Sequence, residues 1–157
     1  MSGELQSTIA ANELATLLIP VRGKQLVLPN VTVAEIIPYT EPQVESDKPG
    51  WYLGTVSWRN ISVPLVSFEV LNNQMVGSSG RQRRIAVLNG LVDNQKLPFC
   101  AIVTEGVPRL MRIMPDEVVT DEESLVGPAE LTSVVVSGER ASIPNVDYIQ
   151  NLVLQVL

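Results

Sequence analysis

GTVSWRNISVPLV, residues 54–66, reads as a two-stranded hairpin and sets the frame for the whole chain. Val56 and Trp58 alternate with Thr55 and Ser57, and Ile61, Val63 and Leu65 alternate with Ser62 and Pro64. That is the period of two expected of paired strands. Arg59 and Asn60 fall between them as the bend. A two-residue hairpin turn needs positive φ, which Asn tolerates better than any residue except glycine. Pro64 brings no N–H to a ladder, so it belongs on an edge strand, at a bulge or where a strand bends. The stretch predicts a curved sheet with an accessible rim.

The rest of the chain sets the limits around this hairpin. Its 157 residues suit one domain able to bury a sizeable core, or two small cores sharing a boundary. Hydrophobic residues make up 45% and charged residues 18%, a globular composition. The formal charge of −6 repels phosphate backbones and anionic membrane surfaces, so no nucleic-acid partner is expected. No apolar run approaches the roughly 20 residues needed to span a bilayer. The start MSGELQSTIAANEL lacks the basic region and apolar stretch of a signal peptide. A cytoplasmic protein with no membrane insertion is the expectation, with residues 1–13 as a flexible N-terminal segment ahead of a single domain over 14–157. The lone Cys100, in LPFCAIV, has apolar neighbours and reads as a packed thiol.

Short strands recur on both sides of the central hairpin. LATLLIPV (14–21), a turn at Arg22-Gly23-Lys24 and QLVLP (25–29) form an opening hairpin. VTVAEIIPY (31–39) is a further strand or a turn leading into one, and TEPQVESDKPG (40–50) is an exposed loop. RRIAVLNGL (83–91), the turn VDNQK (92–96) and LPFCAIVTEG (97–106) make another hairpin, followed by a strand in VPRLMRIMP (107–115). NNQMVGSSGRQ (72–82) is a loop. The fold class is therefore mainly β, and two sets of short, punctuated strands suit barrels better than an open sheet. At the C-terminus, Val146, Ile149, Leu152, Val153 and Val156 lie at helical spacing after Asn145. They predict one short amphipathic helix that closes the end of a barrel.

Catalytic templates find little support. The chain has no histidine, which removes the commonest general base and the commonest zinc ligand. GSSGRQ (77–82) has neither the spacing nor the strand-to-helix setting of a phosphate loop. Asp121, Glu122 and Glu123 are adjacent, so their side chains diverge, and they read as a solvated face rather than a cation site. No cofactor or metal is expected. Two separated carboxylates acting as acid and base stay open as an alternative, a small acidic β-barrel enzyme using Asp or Glu. A free-standing SH3-like module for proline-rich peptides is a second alternative, weakened by a supply of only two Trp, three Tyr and two Phe.

WYLGTVSWRNISVPLVSFEVLN (51–72) resembles the hallmark segment of CheW-like domains, in which a glycine, a few strand residues, an Arg-Gly bend, a proline and an apolar pair recur in order. Here these are Gly54, Arg59, Pro64 and Leu65-Val66. VTVAEII (31–37) resembles the family's apolar-x-Glu-Ile element, and CAIVTEGV (100–107) its strand ending in an acid-Gly-Val turn. Asn60 stands where the family usually has glycine, and Ser67 where aspartate is common. The resemblance runs from about residue 14 to the C-terminus, with 72–82 and 116–143 matching poorly. It implies two intertwined SH3-like β-barrel subdomains with a hydrophobic seam, on which Ile36, Val56, Val63 and Ile102 are expected. It also implies a noncatalytic adaptor that couples the cytoplasmic tip of a chemoreceptor to the regulatory domain of a CheA-type histidine kinase. The short acidic chain is similar to a ChpC-like auxiliary adaptor of a type IV pilus chemosensory system. Glu35, Ile36, Val56, Trp58, Arg59 and Asn60 are the implied partner-binding residues. Glu35 and Arg59 are expected to meet on the rim of the first barrel.

Overall fold

The computed structural model describes residues 13–74, 80–90 and 95–157. The N-terminal segment up to residue 12, most of the Gly-Ser-Ser-Gly loop and the start of the 92–96 turn lie outside the described residues. Among the described residues, eleven strands form two sheets, with a short C-terminal helix. Strands β1 (Leu14–Val21) and β2 (Lys24–Pro29) pair with β8 (Arg109–Ile113), β9 (Val118–Thr120), β10 (Glu130–Val136) and β11 (Glu139–Pro144). Their order is β8-β1-β2-β11-β10-β9. Strands β3 (Val33–Pro38), β4 (Tyr52–Trp58), β5 (Ile61–Val66), β6 (Arg84–Asn89) and β7 (Phe99–Thr104) form the other sheet, in the order β3-β6-β7-β5-β4. Among the described residues the α-helices are α1 (Phe68–Leu71) and α2 (Val146–Val156). Among the described residues no helix is long and apolar enough to cross a membrane.

The strands do not group as two sets flanking the central hairpin. The five-stranded sheet is one continuous stretch of chain set between β2 and β8 of the six-stranded sheet, and the central hairpin is part of it. Each sheet joins its antiparallel strands through one short parallel pairing. Leu65 and Val66 pair with Ala101 and Ile102 in one, and Ser142 pairs with Leu26 in the other.

Side-chain alternation divides the buried residues into three clusters. Val56, Trp58, Val63, Leu65, Ile85, Val87 and Ala101 fill the inside of the five-stranded sheet. Leu18, Val27, Ile113, Val134, Val136 and Ala141 fill the six-stranded one. The intervening positions Val66, Ala86, Leu88 and Ile102 turn to the opposite face, where they meet Ile19, Leu26 and Leu28 of the other sheet in a shared seam. Strands buried on both faces read as continuous apolar runs, as IAVL (85–88) and CAIV (100–103) do. The four expected seam residues therefore divide. Ile102 is in the seam and Ile36 packs against it half-buried, whereas Val56 and Val63 are inside the five-stranded sheet because the pleat points them the other way.

Helix α2 starts where Asn145 Oδ1 accepts a hydrogen bond from the Tyr148 N–H at 3.0 Å. It buries Ile149 and Val153 against the seam, so it covers the junction of the two sheets rather than the end of one barrel. Cys100 is buried in the same cluster, and burial pushes its thiol up to about 12, consistent with a packing role.

Polar contacts tie the connection after β5 to the six-stranded sheet. Ser67 caps α1 by accepting from the Val70 N–H at 3.3 Å, a job its hydroxyl shares with the aspartate common at that position. Buried Glu69 accepts from the Arg22 N–H at 2.9 Å, in the β1–β2 turn. Asn72 Nδ2 donates to buried Glu130 Oε1 at 2.6 Å, while Asn72 Oδ1 accepts from the Ala129 N–H at 3.0 Å. Glu130 accepts further from Lys24 Nζ at 2.8 Å, the Gly127 N–H at 2.9 Å and the Ser142 hydroxyl.

Candidate partner-binding rim

The Arg59–Asn60 turn is built as the hairpin reading requires. Arg59 has φ 49° and Asn60 φ 63°, both left-handed, between the paired Trp58 and Ile61. This is the primed turn whose twist matches the flanking strands. Pro64 sits opposite Thr55, and the ladder from β5 to β7 begins one residue later, at Leu65. Ile61 to Pro64 thus form a local edge on an otherwise interior strand, which is how the missing N–H is accommodated.

β3 and β4 are the outer strands of the five-stranded sheet, and the rim is where they meet. Glu35 Oε1, on β3, accepts from Trp58 Nε1 at 3.1 Å and from Arg59 Nη2 at 2.9 Å. The Arg59 guanidinium lies over the Trp58 ring, 4.6 Å from its centroid, and Trp58 in turn meets Phe99 edge-on at 4.7 Å. One carboxylate thereby closes the curl of the sheet through a buried indole and fixes a cation above that indole. The Arg59 side chain is 67% exposed and that of Glu35 is 42% exposed. An exposed pair of this kind stabilises folding by only about 0–1 kcal/mol, so most of the donor fork of Arg59 is left for another molecule. The pair lies on the five-stranded sheet, which begins at β3, and not on the sheet that contains the opening hairpin.

Of the expected partner-binding residues, Glu35, Trp58, Arg59 and Asn60 come together here. Asn60 is exposed at the tip, and Trp58 is buried beneath Arg59. Val56 is buried in the core below and presents no side chain at the rim, while Ile36 packs half-buried on the seam side of β3. The resemblance does not single out a cleft of about 250 Å³ beside the rim, lined by Ile61, Ser62, Pro64 and Phe99. Its signal is Pro64, which marks the half-strand that leaves a gap next to β7. Among the described residues, no group of three or more His, Cys, Asp or Glu is placed to hold a metal ion. Asp121 turns into its own loop, accepting from the Ser124 hydroxyl at 2.6 Å.

A family profile described as CheW-like domain matches residues 15–152. The chain belongs to the CheW-like domain family. Within that family's hallmark segment, Gly54 lies in β4, Arg59 at the turn, and Pro64 with Leu65-Val66 in β5. A CheW-like structure similar to this one is that of the scaffolding protein TtCheW from Thermoanaerobacter tengcongensis. It superposes with a TM-score of 0.71 at 10% identity, over 83% of this chain and 88% of the other. At that identity the likeness shows the fold alone. No curated protein matches the chain by sequence.

Proposed function

We propose that this CheW-like protein is a noncatalytic cytoplasmic adaptor. Its single domain, residues 14–157, couples the cytoplasmic tip of a chemoreceptor to the regulatory domain of a CheA-type histidine kinase. The observation that carries the reading is the family's arginine, held at a preformed turn by Glu35 and Trp58 with its side chain 67% exposed. A group so positioned loses little freedom on binding, which favours recognition by preorganisation. Signal passes by noncovalent contact, so no phosphoryl-accepting residue is required of the chain. Within the family we assign it to the auxiliary adaptors of type IV pilus systems, on its acidic composition and on Asn60 and Ser67 at motif positions.

The test is calorimetric titration against the kinase regulatory domain and the receptor tip, run beside thermal melts. Arg59→Glu is expected to weaken binding to one or both partners by about tenfold or more, with a melting shift no larger than a surface ion pair accounts for. Unchanged affinity for both partners in a folded Arg59→Glu protein sinks the rim assignment. A wild-type protein that binds neither partner sinks the adaptor reading.

A further inference from the structure

We propose that the β5 edge at Ser62 docks an extended, acidic segment of a partner protein, which adds to the hairpin as a short further strand. In an antiparallel pair, opposed residues alternate between those that exchange both main-chain hydrogen bonds and those whose N–H and C=O point away from each other. The Gln43–Thr55 bridge fixes that alternation for β4 and β5. The Thr55 N–H donates to the Gln43 carbonyl at 3.0 Å and the Thr55 carbonyl accepts from the Gln43 N–H at 2.8 Å, so both groups leave β4 on the side away from β5. Thr55 and its β5 partner Pro64 are therefore a pair that exchanges no hydrogen bonds, and two residues on Ser57 and Ser62 are another, with no register shift between. The Ser62 N–H and C=O thus face the β7 side, where the β5–β7 ladder begins only at Leu65. Pro64, the next residue to face that way, has no N–H, so the native ladder loses a rung and Ser62 is left open. Among the described residues no other bond reaches either group. A main-chain donor and acceptor side by side on an exposed residue are the template for an added strand.

The surroundings select the kind of strand. Ser62 lines the cleft of about 250 Å³, whose apolar wall includes Pro64 and Phe99 and whose lining also carries Lys48 and Lys96. The acid in that lining, Glu45, is engaged, accepting from the Tyr52 O–H at 2.7 Å. Two lysines beside one engaged glutamate make a locally cationic mouth in a chain of formal charge −6. An extended segment with an apolar residue between two acids is complementary to it. Its main chain pairs with Ser62, its apolar side chain enters the cleft, and its carboxylates face the lysines. Ser57, the counterpart of Ser62 on β4, faces the other edge and is not part of this cleft. The site rests neither on the adaptor reading nor on Arg59.

The probe is a fluorescein-labelled peptide, Glu-Thr-Val-Thr-Glu, titrated into the full chain and followed by fluorescence anisotropy. Saturable binding is expected, weaker by about threefold or more when both glutamates are replaced by glutamine. N-methylation removes one main-chain donor, and donors alternate in direction along a strand. Of two peptides N-methylated at the central valine or at the threonine after it, one is therefore expected to lose about tenfold or more and the other to bind as before. In the protein, Ser62→Pro removes only the outward N–H and is expected to lose about tenfold or more, whereas Ser62→Ala and Ser57→Pro keep wild-type affinity. Thermal melts establish that each variant is folded, and the N-methyl pair decides the matter on wild type alone should Ser62→Pro not fold. The site is overturned if wild type shows no saturable binding, if the two N-methyl peptides bind alike, if folded Ser62→Pro binds as well as wild type, or if the glutamine peptide matches the acidic one. It is also overturned if sedimentation shows a wild-type dimer that Ser62→Pro dissociates, since the edge then takes a second copy of this chain.

Discussion

Asn60 and Gly54 show how single residues hold the rim in position. Left-handed backbone costs an L-residue about 1–2 kcal/mol, relieved for asparagine by its short polar side chain. Asn60→Ala is therefore expected to lose about 1 kcal/mol, and Asn60→Gly to keep or slightly raise the melting temperature. An alanine variant as stable as wild type would show that the turn tolerates another conformation. Gly54 is more constrained, with φ 132° and a would-be Cβ only 2.3 Å from the Gln43 carbonyl oxygen. That carbonyl accepts from the Thr55 N–H at 3.0 Å, so it cannot retreat without breaking the bridge that covers the edge of β4. Gly54→Ala is expected to destabilise more than Asn60→Ala in the same thermal melts. The approach of Arg59 to Glu35 is legible in the sequence because both fall on motif positions as charges among apolar strand residues. The Trp58 N–H that shares the carboxylate is not, because hydrophobic alternation assigns Trp58 only to the core.

At the scale of elements, burial decides which apolar residues carry the fold. Ile102 on β7 is 2% exposed in the seam, so Ile102→Ala is expected to cost roughly 2–5 kcal/mol in denaturant unfolding. Ile36 on β3 is half-buried, and Ile36→Ala is expected to cost clearly less. Equal losses, or none at Ile102, would contradict the seam as placed. Strands β1 to β8 are legible because alternation and turn residues bound them, and so are the hairpin pairings β1–β2, β4–β5 and β6–β7, whereas sequence order hides the return of β8 to β1. β10 and β11 escape the reading for a different reason. Glu130 and Ser142 are polar yet buried, and β11 joins β2 through the single pair Ser142–Leu26, so hydrophobic periodicity has little to report there. Helix α1 spans only four residues, too few for a 3.6-residue period to show.

Across the whole molecule, the two sheets are held together by the apolar seam and by the polar contacts around Glu130, and the second of these responds to pH. Burial pushes the Glu130 carboxyl up, but donors from Lys24, Ser142, Asn72 and the Gly127 N–H outweigh it and hold the group at about 2, against an ordinary 4.5. A carboxylate whose folded value is depressed stabilises the fold fully above its unfolded value, and that contribution fades as pH falls toward the folded one. Discounted for screening at the partly exposed Lys24 end, it amounts to about 2 kcal/mol. Glu117, Asp121 and Glu139 are also held below their usual range, by hydrogen bonds led by the Met114 N–H, the Ser124 hydroxyl and Arg109 respectively. Acid will therefore weaken any version of this protein, and the informative quantity is the difference between two curves. Urea unfolding of wild type and Glu130→Gln, followed from neutral pH down through the window between 4.5 and about 2, is expected to show wild type more stable at the upper end. The two should converge toward the lower end, because protonation then removes from wild type the charge that glutamine already lacks. Parallel curves with a constant offset would mean that Glu130 acts by shape alone, and that the charge it places between Lys24 and Asn72 does not help hold the two sheets together.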